Sequence, residues 1–220
     1  MQCVSCLPST HQQTWKTWKA SFSWGEWRYN RLRQTANSMT DSHHVGGRRE
    51  EAIRSLEEEL ERRERVLGPD HPETLRSRGS LARLCRAAGR YPQATRLYQE
   101  AASTVERLLG RDHPDTLRTR SSLANVYYAA GRYHYAIQLF QEVLESRERV
   151  LGPGHPDTLR SRGSLANSYR AAGRYHEAIR LHQEVLAGRE KVLGPDHPST
   201  RASRRNLVSA CRAAARMRPS

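Results

Sequence analysis

The stretch LANVYYAAGRYHYAIQLFQEVLESRERVLGPGHPDTL, residues 123–159, returns almost unchanged as LANSYRAAGRYHEAIRLHQEVLAGREKVLGPDHPST at 165–200. The offset is 42 residues, and 113–154 matches 155–196 at 31 of 42 positions. His-Pro follows the same offset at His71-Pro72, His113-Pro114, His155-Pro156 and His197-Pro198. So do Gly47, Gly89, Gly131 and Gly173, with Ala52, Ala94, Ala136 and Ala178. Self-similarity at a fixed period marks a repeat architecture, in which each unit buries its apolar face only against its neighbours.

Each unit reads as two helices. The first starts at His-Pro, because proline suits the first helical position, where its missing N–H costs nothing. Glu73, Asp115 and Asp157 follow and favour the positive end of the helix dipole. Apolar residues then recur at helical spacing: Leu81, Cys85, Ala88; Leu123, Tyr127, Ala130; Leu165, Tyr169, Ala172. Gly89, Gly131 and Gly173 stand where a left-handed cap is wanted. The second helix begins near Tyr91, Tyr133 and Tyr175 and runs to Gly110, Gly152 and Gly194. Three full pairs result, preceded by a second-type helix at about 48–66 and followed by a first-type helix at about 198–215. In that last helix Ala215 replaces the expected glycine, so it reads as a cap with an Arg-rich outer face.

The chain has 220 residues, only 36% of them hydrophobic and 7% aromatic. That suits thin two-layer packing rather than one dense core. No apolar run approaches the ~18 residues of a membrane span, and MQCVSCLPST at the start has no secretory character. Four cysteines, Cys3, Cys6, Cys85 and Cys211, are too few for a disulfide framework, which points to a reduced, cytoplasmic protein. The formal net charge is +14, carried by 34 Arg against 3 Lys. Such a balance points to acidic peptides, nucleic acid or an anionic surface, although coding bias in a GC-rich genome gives the same composition. Within the array the excess is unevenly placed. The first helices sum to +14 and the second helices to −3. In the second helices Glu58–Arg62, Glu59–Arg63 and Glu61–Arg65 stand at i,i+4, which reads as a solvated face. The first helices carry no comparable set of acids.

Together the Leu-Ala-x-x-Tyr, Gly-x-Tyr-x-x-Ala and R-E-x-V-L-G-x-x-H-P signatures resemble the tetratricopeptide repeat in its 42-residue kinesin-light-chain type, over about residues 47–215. Cys85 stands where that family prefers Tyr, His182 where it prefers an aromatic, and Arg201 where earlier copies have Leu. The resemblance implies an all-α, right-handed superhelical solenoid of antiparallel helix pairs, without catalysis or cofactor. It also implies that the first helices line a concave groove that binds a partner protein. The family's groove positions fall on Arg76, Arg83 and Arg86; Arg118, Asn125 and Tyr128; Arg160, Asn167 and Arg170; and Asn206 and Arg212. Asn there can hold an extended peptide's backbone by donor and acceptor, and Arg can fork onto carboxylates. The expected partner is therefore a protein with an extended acidic segment. Ordinary solvated arginines are the plainer account of the same residues.

The expected organisation is an N-terminal segment 1–46, an array 47–216 and a tail 217–220. Residues 1–46 hold all four Trp: Trp15, Trp18, Trp24 and Trp27. TANSM at 35–39 resembles LANSY at 165–169, with four extra residues before Gly47. The segment reads as a degraded first helix, a disordered tail, or a misassigned start with Met39 as the real beginning. Trp15, Trp18 and Phe22 would share a helix face able to meet a membrane surface or the array. Cys3-x-x-Cys6 and His43-His44 are weak metal signals. The four period-42 His lie too far apart in a stack to meet at one ion, since helices pack ~8–10 Å apart, so they read as helix starts. No phosphate-binding loop or nucleophile–base set is present, and no metal site is expected.

The leading expectation is a non-catalytic adaptor. Two others compete: nucleic-acid binding through the Arg-rich face, and a regulatory or sensor segment of a larger multidomain protein, for example one with an ATPase. The sequence leaves the oligomeric state open.

Overall fold

The structure, a computed structural model, describes residues 42–217. It is built of helices α1 (Ser42–Leu67), α2 (Pro72–Ala87), α3 (Tyr91–Leu109), α4 (Pro114–Ala129), α5 (Tyr133–Leu151), α6 (Pro156–Ala171), α7 (Tyr175–Leu193) and α8 (Pro198–Arg216). Each helix packs on its neighbours in sequence, so the chain winds as a right-handed solenoid. The tryptophans, the Cys3-x-x-Cys6 pair and the TANSM segment lie outside the described residues.

The His-Pro starts work through the histidine as well as the proline. Nδ1 of His71, His113, His155 and His197 accepts the backbone N–H two residues on, at 3.1–3.2 Å. Each imidazole therefore caps a first helix, satisfying one of the donors that every helix start leaves open.

The first helices end as their glycines predict. Gly131 sits at φ +73°. Its N–H bonds Tyr128 O at 3.1 Å, and the N–H of Arg132 bonds Tyr127 O at 2.8 Å. These two bonds close a left-handed C-cap and turn the chain into α5. With Ala215 in that column, α8 continues to Arg216 and spans 19 residues where α6 spans 16. The other end of the array departs from expectation. The helix placed at about 48 begins at Ser42 and passes through Gly46 and Gly47, so Gly47 ends nothing. A glycine costs a helix interior only ~1 kcal/mol relative to alanine, too little to stop a helix whose later turns are packed.

The pairs meet on small residues. Ala82, Ala124 and Ala166 of the first helices and Ala94, Ala136 and Ala178 of the second have no solvent exposure. Around them run two clusters of buried residues. One stretches from Ile53 to Val126 and the other from Ala124 to Ala210, so they overlap at α4, and Tyr127 and Leu139 pack against both. Leu81, Cys85, Leu123, Leu165 and Tyr169 are buried as expected. Ala172 is exposed, because it is already the cap residue, where the helix leaves its partner.

One column of second-helix arginines has a polar purpose. Arg63, Arg147 and Arg189 of the second helices each reach the following first helix. Arg63 donates to Ser77 Oγ at 2.8 Å and Glu73 O at 3.2 Å. Arg189 donates to Ser203 Oγ at 2.8 Å and Ser199 O at 3.1 Å. Arg147 does the same with Ser161 Oγ and Asp157 O. Between α3 and α4 the column holds Val105, and Thr119 instead bonds the carbonyl of Asp115 in its own helix at 2.8 Å.

Candidate functional site

Much of the first-helix charge is spent on neighbouring helices. A second arginine column crosses the array: Arg78, Arg120, Arg162 and Arg204. Arg120 lies 3.1 Å from Glu106 of the helix before and 3.2 Å from Glu142 of the helix after. Arg78 is held in the same way by Glu64 at 2.5 Å and Glu100 at 3.8 Å. Arg162 is held by Glu148, with Glu184 at 3.6 Å. Arg204 has Glu190 at 2.8 Å and no carboxylate on its other side among the described residues. The first helices lack acids of their own for this column, and the second helices on both sides supply them. The local pairing expected within α1 is only partly present. Glu59 takes both Arg62 and Arg63, at 2.7 and 2.5 Å, while Glu58 and Glu61 pair with neither Arg62 nor Arg65.

Ten of the eleven residues assigned to the groove separate into three groups. Arg76, Arg118 and Arg160 each carry an acid three residues earlier, Glu73, Asp115 and Asp157 respectively. Burial, followed by the neighbouring Arg147, brings the Arg118 guanidinium down to about 10, with Asp157 opposing. It stays charged at neutral pH, but as part of the stack. Asn125 is exposed and donates to Ser121 O of its own helix at 2.9 Å, leaving its side-chain oxygen free. Asn167 is half-buried. Tyr128 is half-buried against the core, with its ring 5.7 Å from that of Tyr133.

The third group is Arg83, Arg86, Arg170 and Arg212, which take part in no ion pair among the described residues. Arg83 makes only a long contact to Ser80 Oγ, at 3.5 Å. Arg170 and Arg212 line one open groove of about 830 Å³ between α6 and α8. Asn206 is exposed but does not line it; Ser209, which continues the column of Arg83, Asn125 and Asn167, does.

That groove also contains side chains outside the sequence-derived set: Arg201, Arg204, Arg205, Val208, Ala213 and Arg216. For Arg201, Arg205 and Val208 the signal is a break in the repeat, whereas Arg204, Ala213 and Arg216 keep the residue of their columns. Arg201 stands in the column of Leu75, Leu117 and Leu159, and Arg205 in that of Gly79, Ser121 and Gly163. At those positions the interior first helices carry apolar or very small side chains.

Among the described residues no cluster of His, Cys, Asp and Glu is placed to hold a metal, and no helix is long and apolar enough to cross a membrane. His182 is fully buried in α7, in the column of Tyr98 and Phe140. Burial first, then the charges of Arg170 and Arg189, push its pKa down to about 4, so it is neutral in the folded array.

The arrangement has known counterparts. The tetratricopeptide repeat family model matches residues 34–106, 85–149, 121–191 and 163–219. Two crystal structures of nearly identical TPR-like repeats of a kinesin light chain from Podosopora anserina superpose with TM-scores of 0.70 and 0.69. Each is 31% identical over 79% of this chain and 82% of the other. BtubC (BKLC) from P. vanneervenii has the same fold, with a TM-score of 0.65 at 20% identity over 78% of this chain and 68% of that one. No curated protein matches. By its repeats, helix pairing and caps, this chain belongs to the tetratricopeptide repeat family in its kinesin-light-chain-like form, a protein–protein interaction scaffold.

Proposed function

We propose that the scaffold is a non-catalytic adaptor whose first helices bind an extended, acidic segment of a partner protein. The observation that carries this is the distribution of unpaired arginines. Arg78, Arg120, Arg162 and Arg204, like Arg76, Arg118 and Arg160, have acids beside them, whereas Arg83, Arg86, Arg170 and Arg212 have none among the described residues. An arginine without an internal acid is available for a carboxylate fork. The Asn125 side-chain oxygen and the Asn167 amide stand in the same repeat columns and suit an extended backbone. The partners' acidic side chains set encounter rate and specificity more than they set raw affinity.

The test is fluorescence anisotropy of the full chain against an acidic and a neutral peptide pool, at low and physiological salt. The acidic pool should bind and keep binding at physiological salt, and the Arg83→Glu/Arg86→Glu/Arg170→Glu variant should lose it. Equal binding by that variant rejects the groove. A steep salt slope with single-stranded RNA bound as well as peptide would mean phosphate contacts without a shaped site.

A further inference from the structure

We infer that the arginine basin on α8 docks a doubly phosphorylated stretch of the partner; this rests on the reading of the array as a peptide scaffold. Six arginines and no acid line the groove: Arg170, Arg201, Arg204, Arg205, Arg212 and Arg216. Five of them have no ion pair among the described residues. The sixth, Arg204, belongs to the column of Arg78, Arg120 and Arg162 and has a carboxylate on one side only among the described residues. In α2, α4 and α6 the same column is held from both sides, by Glu64 and Glu100, Glu106 and Glu142, and Glu148 and Glu184. Arg204 thus has one side without a carboxylate among the described residues.

This clustering has a cost that the interior helices avoid. Arg201–Arg205 and Arg212–Arg216 are i,i+4 like-charge pairs on one helix, each unfavourable in the absence of a counter-charge. Arg201 and Arg205 also replace the leucine and glycine or serine that interior helices use at these positions. A bound anion relieves both.

Charge density selects phosphate over carboxylate. An extended peptide rises about 3.3 Å per residue and alternates its side chains, so a run of Asp or Glu offers one face a single charge about every 7 Å. A phosphoserine brings roughly −1.5 to −2 and three acceptor oxygens at the same spacing. Two phosphoserines at alternate positions therefore approach the charge of the unpaired arginines, where two carboxylates meet less than half of it. Arginine forks suit phosphate oxygens bidentately.

The probe is a fluorescein-labelled 12-residue peptide with two phosphoserines two residues apart, titrated with the full chain at physiological salt. The same peptide with Asp at both positions, inorganic pyrophosphate and a single-stranded RNA are the comparisons. The phosphopeptide should bind at least tenfold tighter than the Asp peptide. Arg201→Ser/Arg205→Ser should weaken it at least tenfold, and hydrogen exchange in the unmutated chain should slow in α8 on binding. Equal affinity for the Asp peptide, for pyrophosphate or for RNA overturns the proposal, as does exchange in α8 that does not change. Phosphopeptide binding lost through Arg83→Glu/Arg86→Glu but kept in Arg201→Ser/Arg205→Ser overturns the basin and leaves the groove standing. The opposite pattern, with no binding of the acidic pool, supports the basin and removes the groove.

Discussion

Arg120 of α4 and Glu142 of α5 meet at 3.2 Å, with the arginine only 17% exposed. The same guanidinium reaches back to Glu106 of α3, so one side chain ties three consecutive helices. Removing it leaves Glu106 with no ion pair among the described residues and Glu142 with only Arg111, at 3.6 Å. Arg120→Ala should lower the unfolding free energy by about 2 kcal/mol. Arg204→Ala, at a half-exposed site with one partner, should cost less than about 1 kcal/mol. Urea titration of the two variants checks the contrast, and equal losses would refute the two-sided hold.

His182 makes stability depend on pH. Its pKa is depressed to about 4 in the folded chain, against about 6.5 when unfolded. Between those values the unfolded chain binds the extra proton. The contribution is therefore fully present above about pH 6.5 and is lost as pH falls towards 4, up to roughly 3 kcal/mol in all. His182→Phe, which copies Phe140, should remove this slope. Thermal melts at pH 8 and pH 5 should show a smaller acid shift in the variant than in the unmodified chain.

Gly131 and Gly47 share a repeat column and should respond oppositely to alanine. Gly131 holds φ +73°, where a Cβ costs about 1–2 kcal/mol. Gly47 lies within α1 and an added Cβ meets nothing within 4 Å, so Gly47→Ala should stabilise by up to about 1 kcal/mol. Denaturant midpoints moving the same way in both variants would contradict the two conformations.

His155 caps α6 through Nδ1. His155→Ala should cost about 1 kcal/mol, and His155→Asn, whose side-chain oxygen can accept the same N–H, should recover most of it. Chemical denaturation of the three proteins decides between a capping role and packing alone, since packing would not be restored by asparagine.

The period made the helices legible because His-Pro and AAGRY are local devices, complete within a few residues. The role of Arg120 was not legible, because its partners lie one helix away on each side and no spacing within α4 reveals them. Counting charge per helix therefore overstated what the first helices have to offer a ligand. The groove residues were legible only as repeat columns, and the structure separates the arginines with acids beside them from Arg83, Arg86, Arg170 and Arg212. The basin had a signal in plain view, Arg201 in a leucine column, but a substitution reveals a site only once its neighbours are placed.

Val105 gives the array unequal seams. At three of the second-to-first junctions an arginine is threaded into the next helix; at α3–α4 a branched hydrocarbon stands in its place. That seam is no looser for it, since Val105 is buried and Arg120 still reaches Glu106 across it. Truncating the column residue to alanine should therefore break hydrogen bonds at three junctions and open a cavity at the fourth.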